Sequence, residues 1–344
     1  MTTTFVDPKR NTPLLKDSLK NLFFPPEQGE YEYFKLAGGN PFAQGTSIVK
    51  ASWAADAAML SYARYGTRRM DDNEFERILT EAGLKLLAKI GNDKDNWNAP
   101  GTKAFFAAAD DFAIMAFRGT EFGDKTDAYA DLDILLVHEP DYRASVSPPL
   151  SHLSMIEHLF SAPCLVHRGF QGALNQVWGQ VHQQLADYRR RRPDAEICIT
   201  GHSLGGALAV LTYSRCSDRN ISAYTFGCPR VGNTAFGKRV LPDANPGKGH
   251  FRFVNFDDLV AHVPLESALY RHAPATCYRF DKTGRLELEN DDELVQDLAV
   301  LGETIGGLPK DLSSHIQGLD QLPAPPGLVD HSPARYCMRL GDCV

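Results

Sequence analysis

One short segment of the chain combines residue types that could supply a nucleophile. Residues 201–206, Gly-His-Ser-Leu-Gly-Gly, place Ser203 between a β-branched apolar run at 197–200 and an apolar stretch that begins a helix. A serine at such a strand-to-helix turn, with glycines that let the two elements approach closely, is typical of a nucleophile elbow. The alternative is a serine that only caps the helix. The strand and helix on either side favour the nucleophile.

A serine hydroxyl needs a base to take its proton and an acidic group to orient that base. In hydrolases with a nucleophile elbow, both partners follow the serine along the chain, and the acid comes first. Residues 250–256 form an apolar strand, and Asp257 and Asp258 follow it directly. Because the carboxyl ends of parallel strands meet at one edge of a sheet, either aspartate could serve. Both could instead only start a turn.

The base must be a histidine beyond residue 211, and five compete: His250, His262, His272, His315 and His331. His262 is close in sequence to Asp258 but shares its loop, so we expect its side chain to point elsewhere. His331 follows a Pro/Gly-rich stretch late in the chain, which fits the required order. The residues alone leave the choice of histidine open.

Six short motifs occur in order between residues 100 and 341. They are FRGT (117–120), VHRGF (166–170), GHSLGGALA (201–209), TFGCPRVGN (225–233), DDLVAHVP (257–264) and DHSPARY (330–336). Because it carries these motifs in this order, the chain resembles the class 3 lipases, a fungal-lipase-like family of the α/β-hydrolases. The resemblance implies that Ser203 is the nucleophile, Asp258 the acid and His331 the base. It also implies an oxyanion hole formed by the backbone N–H groups of Thr120 and Leu204.

Such a set of residues predicts a carboxylic ester hydrolase that works through an acyl-enzyme. The resemblance implies a lipase that cleaves lipid esters at a lipid–water interface, with acylglycerols as the first expectation. The alternatives are a phospholipase A1 and a small-ester or feruloyl-type esterase. A lipase-like protein that has become an interaction module is the non-enzymatic alternative. The presence of all three triad residues argues against that alternative.

The patterns around the motifs predict the elements that must position them. After Ser203, strands and helices alternate, which predicts a mostly parallel sheet with helices on both faces. For the resembled family this is the α/β-hydrolase fold. Before Ser203, the apolar spacing predicts helices over 46–64, 72–90 and 172–190, and a β-hairpin over 102–120 that turns at Asp110 and Asp111.

The domain organisation is expected to be simple. Residues 1–45 read as an N-terminal extension that packs on or covers the core, and residues 46–344 as a single domain. Compared with the family pattern, the chain has insertions at 138–162 and 291–327, and Ala128 stands where the family often carries tryptophan. The first insertion could hold a lid helix or a helix that only packs on the core. Its apolar face consists of Leu153, Met155, Ile156, Leu159 and Phe160.

Composition limits the partners and the location. The net charge of −7 argues against a nucleic-acid partner. No apolar run approaches the length of a transmembrane segment, and the N-terminus lacks the pattern of a signal peptide. We therefore expect a cytoplasmic protein or one exported by a leaderless route. The seven cysteines show no zinc-type spacing, so neither a metal nor a cofactor is expected.

Overall fold

The computed structural model describes residues 31–34, 47–65, 68–93, 101–120, 135–142, 163–216, 218, 220–240, 248–267, 269–289 and 326–343. Most of the two predicted insertions, including the apolar residues 153–160, lies outside these described parts. Among the helices described, none has both the length and the apolar character that crossing a membrane requires.

The strands of the described parts belong to one large sheet and two small ribbons. In chain order they are β1 Arg64–Tyr65, β2 Arg68–Arg69, β3 Lys85–Gly91, β4 Lys103–Ala108, β5 Phe112–Phe117, β6 Leu136–His138, β7 Leu165–His167, β8 Glu196–His202, β9 Ile221–Phe226, β10 His250–Asn255, β11 Thr276–Phe280 and β12 Leu286–Leu288. The large sheet has the order β12-β11-β10-β9-β8-β5-β4-β3. Strands β5, β8, β9, β10 and β11 are parallel, and antiparallel strands extend the sheet at both edges.

Helices cover both faces of this sheet. They are α1 Ser47–Leu60, α2 Asp72–Glu81, α3 Arg168–Asn175, α4 Trp178–Arg191, α5 Leu204–Arg215, α6 Thr234–Arg239, α7 Pro326–Asp330 and α8 Pro333–Asp342, with a 3-10 helix at Leu259–His262. Successive residues of β8 point to opposite faces, so Ile197 and Ile199 join the core under α3, α4 and α5. Cys198 joins the core under α1, α2 and α8. The predicted mostly parallel sheet with helices on both faces is confirmed.

Two predicted helices are wrong in part. The helix predicted over 72–90 ends at Glu81, and its second half is strand β3, paired antiparallel with β4. Gly83 has a φ of +76°, and the N–H of Leu84 donates to the carbonyl of Leu79 at 2.8 Å. This is a Schellman-type helix end, which a glycine at positive φ permits. The apolar residues that follow suit a strand as well as a helix, so periodicity alone did not separate the two.

The helix predicted over 172–190 is instead two helices, α3 and α4. Val177 leaves helical geometry, with φ −120° and ψ −1°, between them. The break lets α3 pack on α5 while α4 packs against β3, so each helix follows its own part of the core. Neither glycine nor proline occupies residues 176 and 177, and the amphipathic pattern continues across the break. The hairpin predicted over 102–120 is confirmed as β4 and β5.

The described part of the N-terminal extension is hydrogen-bonded to Asp56, a buried aspartate of α1. The Tyr31 hydroxyl donates to Oδ1 of Asp56, and the Phe34 backbone N–H donates to Oδ2 at 2.7 Å. Burial raises the pKa of Asp56 to about 7, although hydrogen bonds from Tyr31, Phe34 and Cys337 oppose the shift. In the folded chain the carboxyl is therefore mostly protonated below about pH 7.

We expect the Asp56→Asn variant to lose part of the pH dependence of folding stability. The native pKa of the aspartate lies above its unfolded value, so its protonated form stabilises the fold fully at low pH. That contribution is lost as pH rises from about 4 to about 7, and it amounts to on the order of 4 kcal/mol. Urea unfolding of both proteins across this range measures the difference. A difference in stability that stays constant with pH would contradict the expectation.

Candidate active site

Ser203 lies at a sharp turn between β8 and α5. Its backbone has φ 59° and ψ −130°, a strained region for a residue with a side chain. The glycines around it are required by close packing: a Cβ on Gly201 would lie 2.2 Å from the carbonyl carbon of Gly205. A Cβ on Gly205 would lie 2.2 Å from the Phe117 carbonyl oxygen. The local geometry is that of a nucleophile elbow rather than a simple helix cap.

We expect Gly205→Ala to destabilise the fold by about 3 kcal/mol or more, because the added methyl group overlaps the backbone of β5. Thermal unfolding and soluble yield measure the effect. The matched control is Gly179→Ala on the exposed surface of α4, where an added Cβ meets no atom within 4 Å. That variant should unfold at an unchanged or slightly higher temperature. Equal stability of the two variants would contradict the packing argument.

Asp258 and His331 form a fully buried pair at the same edge of the sheet. Nδ1 of His331 lies 2.9 Å from each carboxylate oxygen of Asp258, and both side chains have no exposed surface. Asp258 follows β10 and caps the 3-10 helix, while His331 lies between α7 and α8. Gly227, which follows β9, leaves room for the pair: a Cβ there would lie 2.5 Å from Oδ2 of Asp258 and 2.8 Å from Nδ1 of His331.

Further hydrogen bonds hold the Asp258 carboxylate in its ionised form. The Tyr336 hydroxyl donates to Oδ2 at 2.7 Å, and the Val260 N–H donates to Oδ1 at 2.9 Å. Burial alone would raise the pKa of Asp258, but His331 and Tyr336 outweigh it and hold the pKa below its usual value. A carboxylate fixed in this way can orient an imidazole and stabilise its protonated form.

The other described candidate histidines have different partners. Nε2 of His272 lies 2.8 Å from the carbonyl oxygen of Ala261, and Nε2 of His250 lies 3.1 Å from the hydroxyl of Thr225. Nε2 of His262 lies 3.5 Å from a guanidinium nitrogen of Arg279. The fifth candidate, His315, lies outside the described residues. Of the two aspartates left open by the sequence, Asp258 is the one that the structure brings to His331.

The segment after β5 passes beside the serine. A Cβ on Gly119 would lie 3.2 Å from the Cβ of Ser203, so the backbone there almost touches the elbow. Thr120 is the next residue and is half-buried. Leu204, also half-buried, is the first residue of α5, where backbone N–H groups and the helix dipole favour a negative charge. Both predicted oxyanion residues therefore belong to segments that adjoin Ser203.

Sequence reasoning missed two residues that support this arrangement. The side-chain amide of Asn255, the last residue of β10, donates to the carbonyl of Asp330 at 2.8 Å, and its N–H donates to the Tyr336 hydroxyl at 2.9 Å. Tyr62, beyond the end of α1, hydrogen-bonds to His202 at 2.9 Å. No motif marks either residue. Within the described residues, no cluster of three or more His, Cys, Asp or Glu side chains could hold a metal ion.

Comparison with known proteins agrees with the sequence motifs. Residues 114–268 match the family model described as lipase (class 3). A lipase of Rhizomucor miehei is 36% identical over 115 residues, 31% of this chain and 31% of the relative. A secreted mono- and diacylglycerol lipase A of Penicillium cyclopium is 28% identical over 170 residues, 48% of this chain and 54% of the relative. The matched stretches thus span about a third to a half of these relatives.

Solved structures show the same fold. A lipase of Rhizopus microsporus var. chinensis has a TM-score of 0.52 at 23% identity, covering 83% of this chain and 93% of that one. The nonglycosylated LIP2 lipase of Yarrowia lipolytica has a TM-score of 0.54 at 19% identity, covering 74% and 92%. The chain has the α/β-hydrolase fold. Residues 114–268 are similar to the class 3 lipase family.

Proposed function

We propose that this protein is a serine carboxylic ester hydrolase that cleaves lipid esters through an acyl-enzyme. The observation that carries the proposal is the strained elbow of Ser203 at the same sheet edge as the buried Asp258–His331 pair. Strands β8, β9 and β10 are parallel, so their carboxyl ends bring these groups together. The ring of His331 lies 4.4 Å, centroid to centroid, from the ring of His202, the residue before the serine.

In the proposed mechanism, His331 takes the proton of the Ser203 hydroxyl as the oxygen attacks the ester carbonyl. Its Nδ1 is occupied by the Asp258 carboxylate, so Nε2 is the nitrogen that accepts the proton. The imidazolium that forms is stabilised by the ionised Asp258 and then returns the proton to the leaving alcohol. Water attacks the acyl-enzyme in a second half-reaction that uses the same base.

The proposed oxyanion hole consists of the backbone N–H groups of Leu204 and Thr120. Leu204 begins α5, so its N–H belongs to the positive end of the helix dipole. Thr120 follows Gly119, which packs against Ser203. Two donors of this kind stabilise the charge that develops on the carbonyl oxygen in the transition state.

Acylglycerols are the substrate class that we favour. Two similar proteins, of Penicillium cyclopium and Fusarium solani, are named mono- and diacylglycerol lipases, and one of Rhizomucor miehei is named a lipase, which supports lipid esters for this chain. Two leucines in the loop that follows the 3-10 helix, Leu265 and Leu269, are 46% and 58% exposed. Exposed apolar side chains so close in sequence to Asp258 support action at a lipid–water interface. Phospholipid sn-1 esters and small or feruloyl-type esters are the alternatives.

The test is hydrolysis of a panel of esters by the purified full chain. The panel contains p-nitrophenyl esters of graded acyl length, mono-, di- and triacylglycerols, phosphatidylcholine and methyl ferulate. We expect turnover of acylglycerols, and the Ser203→Ala variant prepared in parallel should show none. Hydrolysis of phosphatidylcholine or ferulate in preference to acylglycerols would change the substrate class. Hydrolysis of no ester, with Ser203 inert toward a fluorophosphonate, would contradict the proposed activity.

A further inference from the structure

The side chain of His202 bridges two distant parts of the active site. It is 1% exposed, and its Nδ1 lies 2.9 Å from the Tyr62 hydroxyl. Its Nε2 lies 2.6 Å from the backbone carbonyl oxygen of His331. A carbonyl oxygen can only accept a hydrogen bond, so Nε2 must carry the proton and donate it. His202, the residue before the nucleophile, is therefore hydrogen-bonded to the backbone of the proposed base.

The charge and tautomer of His202 follow from its surroundings. Burial lowers the pKa of His202 well below its ordinary value, and the neighbouring His331 lowers it further. A neutral imidazole carries one proton, and that proton is on Nε2. Nδ1 is then an acceptor, so the Tyr62 hydroxyl donates to it. An uncharged His202 does not oppose the positive charge that His331 acquires when it takes the serine proton.

Tyr62 also contacts the segment that leads to the proposed oxyanion hole. A Cβ on Gly119 would lie 2.2 Å from the Tyr62 hydroxyl oxygen and 3.2 Å from the Cβ of Ser203. The hydroxyl thus lies against the backbone just before Thr120. One pair of side chains, Tyr62 and His202, therefore adjoins the segments that carry the nucleophile, the base and an oxyanion donor.

We propose that Tyr62 and His202 are positioning residues that fix the His331 backbone and thereby aim its imidazole at Ser203. The inference rests on the proposed serine hydrolase function. The hydrogen bond from His202 to a carbonyl 129 residues away ties the turn of the nucleophile to the turn of the base. Misplacement of reacting groups by about 1 Å costs roughly a hundredfold in rate, so such a tie acts on turnover.

Three substitutions separate the parts of this pair. His202→Phe keeps a ring of similar size but removes both hydrogen bonds. His202→Gln restores a donor, because the glutamine amide nitrogen can occupy nearly the position of Nε2. Tyr62→Phe removes only the hydroxyl that donates to Nδ1, so His202 keeps its hydrogen bond to the His331 carbonyl but loses its second partner.

The primary measurement is the rate constant for labelling of Ser203 by a fluorophosphonate, read by intact mass. This rate constant reports activation of the serine without an ester substrate. The kcat and KM for an ester that the wild type hydrolyses are measured in parallel. We expect His202→Phe to lower the labelling rate and kcat about a hundredfold. Tyr62→Phe should lower them roughly five- to tenfold, about the effect of one neutral hydrogen bond. His202→Gln should recover most of the loss, and KM should stay unchanged throughout.

Matched controls come from buried residues remote from the site. Tyr188→Phe removes another buried hydroxyl, in α4, and His250→Phe makes the same histidine substitution at the opposite end of β10 from Asp258. Both should label at the wild-type rate once corrected for the folded fraction measured by thermal unfolding. If His202→Phe does not fold, Tyr62→Phe and His202→Gln decide the question by the same measurements.

The proposal is overturned if the labelling rates of the Tyr62 and His202 variants fall only in proportion to their folded fraction. It is also overturned if His202→Gln is as slow as His202→Phe, because a donor to the His331 carbonyl would then have no effect. A wild-type protein that is labelled at Ser203 but hydrolyses no ester would contradict the proposed function alone. The labelling rates of the variants would still test the positioning pair.

Discussion

Replacing Ser203 by alanine is expected to lower ester hydrolysis to below about one-thousandth of the wild-type rate. The substitution removes the attacking oxygen, and loss of a triad nucleophile typically costs several powers of ten in kcat. The fold should persist, because the backbone of the elbow is set by the packing of Gly201 and Gly205. Initial rates on the best ester of the panel, with thermal unfolding in parallel, measure both effects.

The matched control is Ser214→Ala. Ser214 is a buried serine of α5, and its hydroxyl donates to the Leu211 carbonyl at 2.7 Å. We expect that variant to keep wild-type turnover for its folded fraction. Residual activity of Ser203→Ala above about one-thousandth of the wild-type rate would show that hydrolysis does not depend on Ser203 as the nucleophile.

Replacing His331 by alanine should also remove nearly all turnover, by at least about a thousandfold. Ser203 then loses its proposed base, and Asp258 is left as a buried carboxylate without its imidazole partner. Initial rates of both proteins on the best ester of the panel, with thermal unfolding in parallel, measure the loss.

His262→Ala and His272→Ala are the controls for this result. Both residues are close to Asp258 in sequence, but in the fold His262 contacts Arg279 and His272 contacts the Ala261 carbonyl. Each variant should keep most of the activity. If His262→Ala were inactive and His331→Ala close to wild type, both the assignment of the base and the family register would be wrong.

The sequence predicted those parts of the site that lie within continuous motifs. The elbow could be predicted because its strand, its glycines and its helix occupy adjacent residues. The choice of Asp258 over Asp257 and of His331 over four other histidines depended on the resemblance to a family. Chain order alone could not determine which loop reaches the sheet edge. His331 and Asp258 are 73 residues apart in sequence. In the structure, Nδ1 of His331 lies 2.9 Å from each carboxylate oxygen of Asp258.

The sequence did not predict features that depend on contacts between distant segments. Tyr62 meets His202 across 140 residues, and no local pattern around Tyr62 distinguishes it from other core tyrosines. Residues 85–91 form a strand because β4 offers an edge to pair with, whereas their apolar spacing also fits a helix. The helix break at Val177 likewise follows from packing on two different parts of the core.

The most direct test of the account is to identify the residue that a fluorophosphonate modifies in the wild-type chain. We predict a single adduct that peptide mass spectrometry maps to Ser203, forming at a rate that falls at least about a hundredfold in His331→Ala. Ser214 and the other serines should remain unmodified. An adduct on a different residue, or labelling of Ser203 that is equally fast without His331, would contradict a catalytic site built from the elbow serine and the Asp258–His331 pair.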